Sequence, residues 1–159
     1  MGTKPIKRHD AIKPYSREHH HGLLLCWKIR EGFKHNIELK RIKDYADYMW
    51  ETQIKPHFDA EEKYMFPVLG KEHEMIQQAY KEHRRLASLF NEKVEIQKAL
   101  ETIQTELDEH IRFEERVLFN KIQEVATKEE LDIIDKHHEN LGADNWQDNF
   151  WEEFKKKRK

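Results

Sequence analysis

The sequence is short of almost everything that builds strands, disulfides or membrane spans. There is one cysteine, Cys26, so no internal disulfide can form, and a reducing cytoplasm is the expected compartment. Glycine and proline number only 5 and 4 in 159 residues, which disfavours a strand-and-turn fold and favours long helices. No apolar run approaches the ~18 residues of a membrane span, and no signal-peptide pattern opens the chain. Net charge is −2, so nothing global points to nucleic acid. There is no Ser-His-Asp pattern, Gly-rich phosphate loop or dinucleotide fingerprint, which removes support from hydrolase and nucleotide-binding readings. What the chain has instead is charge and histidine. Charged residues (38%) match apolar ones (37%), so a core must come from amphipathic segments. Histidine occurs 11 times.

The length favours one domain. Residues 1–15, with Pro5 and Pro14, read as an irregular lead-in. A first helix is expected from Ser16, as N-cap, to about Arg30, with Gly32 as its stop. A second spans about Ile37–Val68, kinked by Pro56 and ended by Pro67 and Gly70. A third fits 72–90 and a fourth about 94–126, which gives a bundle over residues 16–126. Residues 127–159 hold a short fifth helix and a tail. Thr127 and Glu130 form the capping box of that helix, and Gly142 ends the segment. The aromatics of "NWQDNFWEEF" can dock on the bundle, and "KKKRK" reads as a solvated end.

Each long helix carries one apolar stripe at 3/4 spacing, with a histidine near its middle: His20, His57, His83 and His110. Two stretches repeat one pattern, "HFDAEEKYMFP" and "HIRFEERVLFN". In both, a Glu follows the His by four places, ~40° around the helix, so His57 points with Glu61 and His110 with Glu114. A carboxylate on an inward stripe costs several kcal/mol of desolvation unless offset. It can be protonated, pair with a buried cation, or bind a metal. No Arg or Lys lies on the stripes at these levels. Imidazoles and carboxylates without thiolate suit a metal other than a Cys-rich structural zinc, and six ligands suit two adjacent ions with Glu61 and Glu114 bridging. If the ions are iron, an oxo or hydroxo bridge and an open position for dioxygen follow. Zinc and manganese satisfy the same ligand types.

His20 is the expected ligand of the triplet 19–21, because Leu23, Leu24 and Trp27 follow it at helical spacing; a rotated helix would bring in His19 or His21 instead. Glu62 and Glu115 fall one place off the stripe, solvated, paired with Arg116 or Lys63, or bonded to a ligand histidine. Tyr64 and Tyr80 lie on stripes, as core residues or as donors to a metal-bound group. His73 is placed near the start of the third helix, and His9, His35, His137 and His138 on the surface or in the tail.

The stretches "SREHHHGLLLCWKIR", "HFDAEEKYMFPVLG", "EHRRL" and "HIRFEERVLF" resemble the hemerythrin-like family, the HHE cation-binding domain, across roughly residues 9–125. The resemblance implies an all-α, antiparallel up-down four-helix bundle around a non-haem di-iron centre. Its implied ligands are His20, His57, Glu61, His83, His110 and Glu114. The oxygen-carrying members have a His-x-x-x-His pair on the third helix, but Ala79 and Ala87 flank His83 here. They also place an Asp where this chain has Glu115. These departures favour sensing, redox or iron handling over simple oxygen carriage, with dioxygen or a related small molecule as the partner. A metal-binding or sensing protein is favoured over a dedicated enzyme. A ferroxidase-like oxidoreductase needs Glu-x-x-His on two helices, and only Glu18–His21 matches. A bundle in which the metal is purely structural, with homodimerisation through the charged faces or aromatic tail, is the third reading.

Overall fold

The computed structural model describes residues 7–153. It is all-helical, with no strand among the described residues. Helix α1 spans Lys13–Lys34. A continuous helical run over residues 39–68 follows. It comprises α2 (Leu39–Met49), a π turn (Trp50–Ile54), α3 (Lys55–Ala60), a second π turn (Glu61–Met65) and a 3₁₀ turn (Phe66–Val68). Helix α4 is Glu74–Phe90. A second long run starts with α5 (Ile96–Phe113), passes through a π turn (Glu114–Leu118) and ends in α6 (Phe119–Val125). Helix α7 is Lys128–Lys136, and a 3₁₀ turn, Phe150–Glu152, closes the described chain. Helix α5 packs against both α1 and α4, and α1 also against α2.

Several boundaries differ from the sequence reading, each for a local reason. Helix α1 starts before Ser16, because Pro14 is preset for a first helical turn and the His9 carbonyl accepts the Ile12 and Lys13 amides. Gly32 does not stop α1. It is buried inside the helix, where an added Cβ would lie 2.8 Å from Ile42 Cδ1, so its role is close approach to α2. The chain turns instead at Asn36, with a φ of 57°. Gly22 serves the same purpose towards α5, its virtual Cβ lying 2.6 Å from Ile111 Cδ1. Pro56 cannot donate to the preceding turn, and the helix absorbs this as the π turn Trp50–Ile54. The Thr127–Glu130 capping box forms as read, with bonds of 2.9 and 3.1 Å.

The core is split in two. One cluster gathers Leu25, Ile29, Ile42, Met49, Phe90, Ile103 and Leu107 among others. The other gathers Ile12, Tyr15, Met65, Ile76, Leu118 and Ile122 among others. On every long helix the residues between these clusters are His or Glu: His19, His57 with Glu61, His83, and His110 with Glu114. Full burial of a Leu or Ile stabilises by ~1.5–3 kcal/mol, so the two clusters can offset a polar layer costing several kcal/mol per ion.

Cys26 is buried in the first cluster, and burial pushes its thiol up to about 12, which leaves it unreactive. The aromatic tail docks as anticipated. Phe150 is fully buried, and the Lys28 ammonium lies 3.4 Å over the Trp151 ring while donating to Tyr45 Oη at 2.9 Å. The basic end read from "KKKRK" lies outside the described residues.

Candidate metal centre

Six buried side chains converge between the two core clusters. Five are those read from the stripes: His57, Glu61, His83, His110 and Glu114. The sixth is His19. His20 is exposed, so the expectation for the triplet is corrected to its first member, with His21 also outside the cluster. The cause is the earlier start and the rotation of α1, which buries Leu25, Cys26 and Ile29 and leaves Trp27 at 39% exposure.

The six groups form two overlapping sets. His19, His57, Glu61 and Glu114 offer ligand atoms all within 4.8 Å of one another, and so do Glu61, His83, His110 and Glu114. Both sets share the two glutamates. Glu61 lies 3.2 Å from His57 Nε2 through one oxygen and 3.3 Å from His83 Nε2 through the other. Glu114 lies 2.8 Å from His19 Nε2 and 3.2 Å from His110 Nε2, again through different oxygens.

The repeated phrase now has a part-by-part account. Its first Glu, 61 or 114, points inward with its histidine. Its second Glu crosses to the histidine of another helix: Glu62 meets His83 Nδ1 at 2.6 Å, and Glu115 meets His19 Nδ1 at 2.7 Å. Its final Phe packs on that same ring. Phe66 lies 5.4 Å from His83 between centroids, and Phe119 stacks on His19 at 5.1 Å. The favour is returned by two glutamates to which the sequence reading gave no such part, Glu18 having been weighed only against His21. Glu18 meets His57 Nδ1 at 2.7 Å, and Glu82 meets His110 Nδ1 at 2.7 Å. Each immediately precedes an inward histidine, in "EH" at 18–19 and 82–83, but the same dipeptide at 72–73 and 109–110 carries no such bond among the described residues, so the sequence signal was weak. Each of the four histidines thus has a carboxylate on Nδ1 that fixes its tautomer and aims Nε2 at the centre.

The π turns explain where the stripes shift. Two of the three begin at an inward Glu, Glu61 and Glu114, and widen the helix by one residue there. The following inward residues are therefore Met65 and Leu118, not Tyr64 and Val117. Tyr64 instead stacks on His137 at 4.5 Å, and Tyr80 packs edge-on to Phe66. His138 is no simple tail residue, because its Nε2 meets Glu18 Oε2 at 2.8 Å. His73 caps α4, accepting from the Met75 amide at 3.1 Å.

The donor set fits a cation. His57 Nε2, both Glu61 oxygens and Glu114 Oε2 are buried without a hydrogen-bond partner among the described residues. His83 and His110 point their Nε2 atoms at each other across 3.1 Å, a contact of two lone pairs if both Nδ1 atoms carry the proton. In the polypeptide alone, protons carry the compensating charge. Burial opposes the imidazolium of His57, but the Glu61 charge and the Glu18 bond lift it to about 9. Burial likewise opposes the Glu114 carboxylate, but His110 and the other imidazoles hold it well below the usual range. A metal ion supplies the same charge to all six groups at once. The buried cations Lys28 and Lys43 lie elsewhere, on Tyr45 and on the Phe90 carbonyl.

Two clefts reach the centre's edge. One of about 260 Å³ is lined by Glu18, His57, Tyr64, His137 and His138. The other, of about 370 Å³, is lined by Glu82, Glu106, Glu109 and His110. No helix of the described residues is long and apolar enough to cross a membrane. A family model, the hemerythrin HHE cation-binding domain, matches residues 10–94, more than half of the chain. No match was found among curated proteins or among solved structures.

Proposed function

The chain belongs to the hemerythrin HHE cation-binding domain family, and from that premise we propose a di-iron protein that binds or senses dioxygen or a related small molecule, or handles iron and redox equivalents. The carrying observation is the pair of overlapping ligand sets that share Glu61 and Glu114. His19 and His57 would hold one ion and His83 and His110 the other, with Glu61 and Glu114 available to both. The long helices form the antiparallel up-down four-helix bundle of the family.

Iron in such a nitrogen and oxygen environment supplies one-electron chemistry and coordination positions open to a small ligand. The protein's part is separable from that chemistry. The four Nδ1 bonds orient the imidazoles. The stacked Phe58, 3.8 Å from the His83 ring, and Phe119 exclude water from the ring faces. The two clefts give a small molecule its approach to either position. The Glu-x-x-His spacing of ferritin-like oxidases finds no support, because Glu18 is spent on His57 and His21 stands apart.

The test is metal quantitation with an optical spectrum after anaerobic loading with ferrous iron. Two iron per chain, and a near-ultraviolet charge-transfer band that changes on exposure to dioxygen or nitric oxide, are expected. Two irons with no spectral response to either gas would reduce the centre to a structural staple. Failure to retain iron would end the di-iron reading.

A further inference from the structure

The carboxylates that aim the histidines come in matched pairs, and the pairs are unequally supported. Glu115 and Glu18, which aim His19 and His57, are each held by a residue from outside the long helices. Arg8 donates to Glu115 Oε2 at 3.0 Å and to the Glu115 carbonyl at 2.9 Å. It also donates to Asn120 Oδ1 at 3.0 Å. His138, just beyond α7, holds Glu18 Oε2 at 2.8 Å, while its ring packs edge-on to the buried Tyr15 at 4.9 Å. The counterparts lack such a clamp. Glu62 and Glu82 have no Arg, Lys or second His within ion-pair distance among the described residues, and the second oxygen of Glu82 takes a bond from neutral Gln78 at 2.9 Å.

We infer that the two metal positions are unequal in affinity, and that Arg8 and His138 are positioning residues that make the His19/His57 position the tighter. The inference rests on the two-ion reading of the site. Its physical basis is preorganisation. A carboxylate fixed at both oxygens holds its imidazole in one orientation, and a metal then meets a ligand that has little freedom left to lose. At the His83/His110 position the corresponding carboxylates, Glu62 and Glu82, have no charged residue on the second oxygen among the described residues, so more order must be imposed on binding. Both chain ends thereby act on one ion of the pair.

The test is anaerobic titration of metal-free protein with Co²⁺, followed by its visible absorption. Wild type should show two events of different affinity. His57→Ala should abolish the tighter and His83→Ala the weaker, which assigns them. The double variant Arg8→Gln/His138→Gln should weaken the tighter event by about tenfold or more and leave the weaker unchanged. Gln78→Ala should leave the tighter event untouched. Circular dichroism checks that each variant is folded, and the single variants Arg8→Lys and His138→Asn repeat the measurement should the double variant unfold. Equal weakening of both events, or no change in either, overturns the inference while leaving the two-ion site standing. Absence of Co²⁺ binding in folded wild type overturns the site itself.

Discussion

Glu61 touches two histidines of different ligand sets, and neither of its oxygens has a conventional hydrogen bond among the described residues. Burial and the neighbouring Glu114 charge oppose its ionisation, and the surrounding imidazoles, or a cation between them, keep it ionised. Glu61→Ala should depress occupancy of both metal positions together, by tenfold or more each, whereas His57→Ala should lower one. Metal content per folded chain, measured by mass spectrometry, separates the two outcomes. Retention of full occupancy by Glu61→Ala would remove its bridging role. At this scale the sequence was most legible where a residue's direction followed from spacing along an ordinary helix. His57, Glu61, His110 and Glu114 were found that way. His19 was missed by one place, because three adjacent histidines differ by only ~100° steps and the apolar residues after them fit two rotations. The bonds of Glu18 to His57 and of Glu82 to His110 were not legible, because a glutamate off the apolar stripe looks solvated until the neighbouring helix is in place.

The helical elements were legible in number and extent because so few glycines and prolines interrupt them. Their internal irregularities were not, since a π turn leaves no composition signal and moves the inward face by a single residue, as at Met65 and Leu118. Gly32 misled for a related reason. A glycine marks close approach as readily as a helix end, and only the position of Ile42 decides between them. Helix α7 is the element whose start was read correctly, and its capping box invites a direct measurement. Thr127→Ala removes the hydroxyl that accepts from the Glu130 amide, and should cost ~1 kcal/mol of stability. Thermal unfolding followed by circular dichroism would register a lowered Tm, and an unchanged Tm would show that α7 is held by Ile134 and its packing alone.

In the molecule as a whole, the polar layer divides the apolar core, so the site is also the weakest seam of the fold when its charges are unbalanced. Removing the metal with a chelator should lower the Tm measurably. Saturation at 100 times Kd corresponds to ~2.7 kcal/mol of stabilisation per site, and the loss on chelation should be of that order. Differential scanning calorimetry with and without chelator checks it, and equal curves would mean that protons on the imidazoles compensate fully.

The bonds to Nδ1 visit the helices in a closed circuit. Glu18 on α1 serves His57, Glu62 serves His83 on α4, Glu82 serves His110 on α5, and Glu115 serves His19 back on α1. Cut at the loop before α4, this circuit falls into two equivalent arcs, each with two imidazoles, one inward acid and one acid left reaching across the break. Seen thus, the site is a ring braced from one side, because Arg8 and His138 reach only the acids that serve His19 and His57.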